Sequence, residues 1–335
     1  MPDPLLRYIK FLDLLTDRMK KQDIFQERLD DLRRKINAEL LNLPAANSIP
    51  LFYEPIYYIN NLPGKKIRPL LTLISGLAVG GNLENLIYPA AAIELLHNFS
   101  LVHDDIMDKD DTRRGQPTIH VKWDIGTAIL AGDGLLGLAY RKLLCTPNIR
   151  TNRLANLFTE AVLEICEGQA MDKIFETTDD INEKSYSAMI AKKTARLMQL
   201  ACEIGAIVGT GTGMEVRSLA NFGFNLGMGF QIQDDLLDIF ADEERLGKPV
   251  GSDLQSNKKT IASIKLYKSS GITNLYQYQL AEIRQLLDKY GVINEVNRLS
   301  ESYFAKAYSY LNKITGTEYK QLLIYILDYI KNREA

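Results

Sequence analysis

Between Asp104 and Asp111 the chain places five aspartates in eight residues, and Arg113 and Arg114 follow at once. Carboxylates this dense repel one another. Two of them about 4 Å apart, at an effective dielectric near 20, cost roughly 4 kcal/mol. Without a cation among them, one tends to stay protonated. Helical spacing puts Asp104 and Asp108 on one face, with Asp105 about a quarter turn aside and His97 on that same face two turns earlier. The triplet returns in FQIQDDLLDIF as Asp234, Asp235 and Asp238, 130 residues further on. One DDxxD reads equally well as a solvated helix end. Two at identical spacing, each after an apolar helix and each trailed by basic residues, point to a metal. Carboxylate oxygens are hard ligands that suit Mg²⁺ or Mn²⁺ and not zinc. Mg²⁺ takes only a few carboxylates and leaves its other positions to water and phosphate. Two such clusters facing each other across a cavity would hold a metal-bound diphosphate between them. Acids near a helix C-terminus also oppose the helix dipole, a cost that argues for a role beyond stability.

Basic residues stand where a phosphate binder needs them. GKKIRP supplies Lys65, Lys66 and Arg68 at a glycine turn, and TRRGQ supplies Arg113 and Arg114. AKKTARL sets Lys192 and Lys193 inside an otherwise apolar helix, beside Thr194. Lys248, Lys258 and Lys259 lie on the polar stretch after the second aspartate cluster. Arginine suits bidentate phosphate contact, and lysine acts as a point charge. None of these pieces is specific alone: a lysine after glycine is commonly a solvated turn. No GxxxxGK[ST] occurs, so a P-loop nucleotide site is unsupported.

Helices must position these groups. Apolar residues recur at helical spacing throughout, strand alternation is nearly absent, and proline and glycine supply the breaks. The pattern predicts an N-terminal helical region over 4–42, a short helix, and helices over 68–79, 88–108, 124–145, 150–175, 183–209 and 214–240. A long polar loop and three or four more helices close the chain. PAAAIELLHNFSLV and MIAKKTARLMQLACEIGAIVG are apolar on most faces, which places them at the bundle centre. No linker or low-complexity segment marks a boundary, so one all-α domain over 1–335 is expected. The 335 residues are 46% hydrophobic and 24% charged, an ordinary globular composition. A net charge of −2 with no basic run argues against a nucleic-acid partner. No apolar stretch is long enough for a membrane span, and the N-terminus does not read as a signal peptide. Cys145, Cys166 and Cys202 are far apart and form no CxxC, which fits a reducing, cytoplasmic compartment.

Taken in order, GKKIRP, ELLHNFSLVHDDIMDKDDTRRGQPTIH, LAGDGLL, EGQAMD, KKTARL, FQIQDDLLD and GKPVGSDLQSNKKT resemble the trans-type isoprenyl diphosphate synthases, the polyprenyl synthetase family. The resemblance spans about residues 50–265, and the ordered set is far more specific than any one piece. Departures are small: PGKK stands where two glycines and KR are common, SNKK where a glycine often precedes the lysine, and Gly134 where a larger residue is common. None removes a charged group.

The resemblance implies the isoprenoid synthase fold: about ten or more helices around a central apolar cavity. It implies prenyl transfer between isopentenyl diphosphate and an allylic diphosphate, in a homodimer. Asp104 and Asp108 would bind two Mg²⁺ ions, with Mn²⁺ able to substitute, and Asp234 a third, with Asp238 and Asp172 nearby. Arg113, Lys193 and Lys248 would grip the allylic diphosphate. Lys65, Arg68, His97 and Arg114 would grip the other, although a lone histidine on a buried helix face is commonly a satisfied core residue. Thr194 and Gln231 would place oxygens near the cation formed on ionisation, and Lys258 would close the loop over the site. Phe99 with its small neighbour Ser100, just before the first motif, resembles the chain-length floor of a geranylgeranyl diphosphate synthase, with farnesyl or longer products as alternatives.

A class I terpene cyclase fits less well, because its second metal motif is of Asn/Ser/Glu type. A non-catalytic subunit of a heteromeric synthase tends to lose one aspartate motif, and this chain keeps both.

Overall fold

Short polar side chains open the helices that carry the motifs. Asn82 accepts from Glu84 N at 2.9 Å, Asp124 from Thr127 N at 2.9 Å and Asn182 from Ser185 N at 3.0 Å. Thr260 accepts from Ser263 N at 3.3 Å and Thr317 from Lys320 N at 3.1 Å. Each satisfies one amide that the first helical turn leaves without a partner. The computed structural model describes the backbone over 4–22 and all atoms over 23–43, 49–147, 151–178, 180–240, 258–273 and 275–333.

In chain order the helices are α1 (Pro4–Leu41), α2 (Pro50–Asn61), α3 (Ile67–Ala78), α4 (Leu83–Asp108), α5 (Ile119–Lys122), α6 (Ile125–Leu144), α7 (Thr151–Glu176), α8 (Glu183–Ile190), α9 (Arg196–Val208) and α10 (Gly213–Phe240). They continue as α11 (Ile261–Ser270), α12 (Leu280–Lys289), α13 (Val292–Leu311) and α14 (Glu318–Lys331). This is the all-helical architecture the spacing predicts, with the short α5 added and three further differences. First, α4 begins five residues before the expected 88, because Asn82 caps it there and Pro89 is accepted inside the helix despite its missing N–H. Second, the helix expected over 183–209 contains a π-helical segment, Ala191–Ala195, between α8 and α9.

The third difference is a hairpin. Thr112–Arg113 (β1) pairs antiparallel with Gln116–Pro117 (β2). The turn runs through Arg114 at φ 54° and Gly115 at φ 72°. Positive φ at both central residues is the type I′ turn, whose twist matches the strands it joins. Two-residue strands are too short to leave an alternation in the sequence.

Helices α4 and α9 lie at the centre, as their all-round apolarity predicts: Ala90, Ala91, Ala92, Ile93, Leu95, Leu96, Leu200, Ala201 and Ile204 are buried. Around α4 pack α3, α6 and α9, while α10 packs along α9 and α13. Val216, Leu219, Phe222 and Leu226 of α10 join the core built on α4 and α9. Its later residues Met228, Ile232, Leu236 and Ile239 join a second core with α11, α12 and α13. One helix therefore runs through both cores and carries the second aspartate motif into the second. Cys145, Cys166 and Cys202 are free thiols. No helix among the described residues is long and apolar enough to cross a membrane.

Candidate active site

The π-helical turn sits at the middle of the site. A π-turn is rare and costs regular hydrogen bonding, and such turns gather at functional positions. Here two glycines hold it. A Cβ on Gly168 of α7 would lie 2.8 Å from Lys193 Cα, and one on Gly227 of α10 would lie 2.6 Å from Ala195 Cα. The bulge is thus pressed between two helices that lack side chains where they touch it. It aims Lys193 and Thr194 inward while Lys192 turns out to Glu167.

Lysine ammonium groups stand against the first motif's carboxylates. Lys193 Nζ lies 3.3 Å from Asp104 Oδ1 and 2.6 Å from Asp172 Oδ2. Lys258 Nζ donates to Asp108 Oδ2 at 2.7 Å, and Lys173 Nζ lies 3.4 Å from Asp108 Oδ1. Burial alone would raise the Asp108 carboxyl, but Lys258, Lys193 and Lys173 outweigh it and hold the group below the ordinary carboxylate value. Burial works against the Lys193 charge, yet Asp104 and Asp172 raise it above ordinary lysine. Asp105 points elsewhere. It is buried, takes Arg113 Nε at 2.6 Å, and is pushed up to about 6 by that burial despite the arginine.

The second motif divides in the same way. Asp235 is buried and accepts from the Tyr186 hydroxyl, from Gln231 Nε2 at 3.0 Å and from Ile261 N at 3.2 Å. It therefore ties α8 and α10 to the start of α11. Because Gln231 gives its amide N–H to Asp235, its carbonyl turns to Thr194, whose hydroxyl donates at 2.9 Å. Asp234 faces out and pairs with Arg333 at 3.1 Å. Asp172, Lys193, Thr194, Gln231, Asp235 and Lys258 line one cleft, which Lys193 and Lys258 link to Asp104 and Asp108 of the first motif.

A third group is basic. Arg68 Nη1 lies 3.1 Å from His97 Nε2. Burial, then the charges of Arg68 and Arg114, hold the His97 imidazole well below its usual value. Neutral His97 accepts from the arginine at Nε2, so its proton is on Nδ1. Burial also pulls Arg68 down to about 10, with Glu94 and Asp234 opposing. Arg114, aimed by the hairpin, rests its guanidinium on Gly64, where a Cβ would be 2.9 Å from Nη1. Arg68 Nε and Arg114 Nη1 are buried donors without an acceptor, the arrangement of a cradle for an anion. Beneath them Lys66 and Glu94 form a buried ion pair at 3.0 Å. Lys65 differs from this set: its ammonium lies 5.1 Å from the Tyr329 ring centroid.

His97 makes a pH prediction. Unfolded histidine binds a proton below about pH 6.5, whereas the folded site refuses it, so stability is complete above that pH and is lost as pH falls through it. The loss is about 1.4 kcal/mol per pH unit until the folded group titrates. Asp105 has the opposite sign, because its raised folded pKa takes up protons below about 6. Comparing His97→Gln with the native chain cancels Asp105. Urea melts at pH 6.5 and 5.5 should show the native chain losing about 1 kcal/mol more than the variant. Equal losses refute the neutral assignment.

The sequence places the remaining candidates less fully. Lys248 lies outside the described residues. Ser100 turns its hydroxyl onto His97 O at 2.8 Å. Phe99 is buried and packs edge-on against His103, centroids 4.8 Å apart, and that ring abuts Gly132 of α6. Phe99 therefore faces α6, while His97, Ser100, Asp104 and Asp108 share another face. Asp172 joins Asp104 through Lys193, so it stands with the first motif. Lys173, Tyr186 and Arg333 escaped the sequence reading. Lys173 adjoins Asp172 in EGQAMDK, which was its one signal.

The donor set fits a hard divalent cation. Asp104, Asp108, Asp172 and Asp234 offer carboxylate oxygens, and basic groups already stand against them. Among the described residues no three acidic, histidine or cysteine side chains meet at one point. Mg²⁺ takes one or two carboxylates and completes its shell with water and phosphate.

The family model described as polyprenyl synthetase matches residues 49–290. A geranylgeranyl diphosphate synthase of Sulfolobus acidocaldarius is 38% identical over 308 residues, covering 87% of this chain and 93% of the relative. A geranylfarnesyl diphosphate synthase of Aeropyrum pernix is 35% identical over 288 residues, covering 81% and 90%. The solved geranylgeranyl pyrophosphate synthetase of Pyrococcus horikoshii Ot3 superposes with a TM-score of 0.88 at 35% identity, covering 94% of this chain and 100% of that one.

Proposed function

Because the chain belongs to the polyprenyl synthetase family, we propose that it is a prenyltransferase that joins isopentenyl diphosphate to an allylic diphosphate and releases geranylgeranyl diphosphate. One observation carries the reading. Lys193 and Lys258, which line a cleft with Gln231 and Asp235 of the second motif, reach Asp104 and Asp108 of the first.

Asp104, Asp108 and Asp234 would hold Mg²⁺ ions, with Asp172 and Asp238 behind them; bound there, the ions neutralise the charge on the departing diphosphate. The chain's own residues do the rest. Lys193, Lys258 and Arg113 exchange their aspartates for oxygens of the allylic diphosphate, with Lys248 joining them. Arg68 and Arg114 offer their free donors to the diphosphate of isopentenyl diphosphate, with neutral His97 and Lys65 beside them. When the allylic C–O bond breaks, a carbocation is left. Thr194 points its hydroxyl hydrogen at the Gln231 carbonyl, so its lone pairs remain to face that cation. The isopentenyl double bond attacks, and the released diphosphate takes the proton. No Ser-His-Asp or Cys-His nucleophile is required, and apolar walls keep water from the cation.

Incubating the pure protein with Mg²⁺, isopentenyl diphosphate and each allylic primer tests the reading. Geranylgeranyl diphosphate should form, and chelation should abolish it. No product from any primer defeats the proposal. Farnesyl or a longer product is the alternative, and one relative is itself named for a longer product. Phe99→Ala should lengthen the product in a radiolabelled chain-length assay, at about 3 kcal/mol of stability for the cavity it leaves. An unchanged product distribution puts the floor elsewhere.

We also read the protein as a cytoplasmic homodimer folding as one domain. Free thiols fit a reducing compartment. The passage of α10 through both cores supports one domain. Exposed Ile125, Ile129 and Leu130 on α6 and Leu163 on α7 offer an apolar face for a second copy.

A further inference from the structure

Two successive residues of α7 reach different aspartates of the first motif. Asp172 meets Asp104 through Lys193. Lys173 sets its ammonium 3.4 Å from Asp108 Oδ1, while Lys258 takes Asp108 Oδ2 at 2.7 Å. Each oxygen of that carboxylate thus faces an ammonium, and the Asp108 side chain is only 6% exposed. Lys173 has two further acceptors. It donates to Glu176 Oε1, one turn along α7, at 2.7 Å and to Met107 O, in the last turn of α4, at 3.1 Å. That carbonyl is among those a helix end leaves without an intrahelical partner, and a cation there suits the helix dipole. The contact with Asp108 is the longest of the three, so Asp108 is the acceptor that Lys173 gives up most readily.

One oxygen lone pair cannot serve both an ammonium and a divalent cation. On the prenyl-transfer reading, on which this inference rests, Asp108 turns to a metal ion and Lys258 to the allylic diphosphate. Lys173 then loses Asp108 and stays anchored beside it by Glu176 and Met107 O. We propose that Lys173 is a further substrate-binding residue, which exchanges Asp108 for an oxygen of the allylic diphosphate and thereby couples metal binding at the first motif to the diphosphate. A single ammonium serves Asp108 or the diphosphate. The arriving anion therefore draws Lys173 away and frees Asp108 for the cation. The flexible stem of a lysine allows the exchange, and its ammonium acts on either anion as a point charge.

The test uses the full chain with Lys173→Gln and Lys173→Arg, each checked by thermal melting. Lys173→Gln should raise the KM for the allylic diphosphate about five- to twentyfold, the low end of losing a charged contact because the side chain is 33% exposed. The KM for isopentenyl diphosphate should stay within about twofold, and arginine should restore part of the loss. Two further readouts need no turnover. With no substrate added, Mn²⁺ titration followed by electron paramagnetic resonance should show the glutamine variant binding about two- to fivefold more tightly, since Asp108 has lost a competing ion pair. Inorganic pyrophosphate should tighten Mn²⁺ binding in both proteins, by about two- to fivefold less in the variant. A KM for the allylic diphosphate within about twofold of the native value overturns the proposal, as does an unchanged Mn²⁺ affinity. A lowered melting temperature with native KM values makes Lys173 a cap of α4 alone and overturns it too. A native protein that makes no product from any allylic primer overturns the prenyl-transfer reading itself, so the two failures are distinct.

Discussion

Asp104→Ala and Asp234→Ala will each lower turnover about a thousandfold or more and leave the helical circular dichroism intact. The rate effect follows from the charge that a diphosphate leaving group develops. Losing about 4 kcal/mol of electrostatic stabilisation is three orders of magnitude in rate. The fold is spared because neither carboxylate supports it. The Asp104 side chain is 20% exposed and that of Asp234 is 42% exposed, and ion pairs this open contribute about 1 kcal/mol or less. Asp235→Ala is the internal control. Its carboxylate accepts from Tyr186, Gln231 and the Ile261 amide inside the core. Its loss should cost about 3 kcal/mol in stability by leaving buried donors without a partner. Adjacent residues of one motif should thus separate, one failing in catalysis and its neighbour in folding. Steady-state kinetics beside urea melts measures both. Near-normal turnover in Asp104→Ala and Asp234→Ala would remove the metal clamp from the mechanism.

Gly168→Ala is expected to lower kcat about a hundredfold, although Gly168 bears no reactive group. The added methyl would sit 2.8 Å from Lys193 Cα, so α7 and the π-helical turn must move apart. Displacing a catalytic group by about 1 Å costs on the order of a hundredfold, and overpacking adds about 1–3 kcal/mol of instability. Gly213→Ala tests specificity, because a methyl there meets open space, and it should behave as the native chain. Measuring kcat well below each variant's melting temperature separates lost geometry from lost fold. Native-like turnover in Gly168→Ala would mean that the bulge does not need its glycine contact.

The residues themselves carried the reading as far as chemistry and class. Helical spacing of apolar residues made the all-α fold legible, and the all-round apolarity of the stretches that become α4 and α9 marked the centre correctly. Paired aspartates at i and i+4 required a cation whatever the fold, because like charges at that spacing repel within a single helix. Spacing along one helix is local, and a sequence displays local geometry directly.

What the sequence left open was which partner each charge takes. Arg113 and Arg114 are neighbours, yet a type I′ turn sends one to Asp105 and the other to Gly64. Asp234 and Asp235 are neighbours too, and only packing of α8 and α11 against α10 decides that one is buried and the other open. The π-helical turn, the reach of Lys173 to Asp108 and the return of Arg333 to Asp234 join positions far apart in the chain. Such pairings arise only when helices pack, since a side chain's partners are set by which surfaces the core brings together and not by its place in the chain.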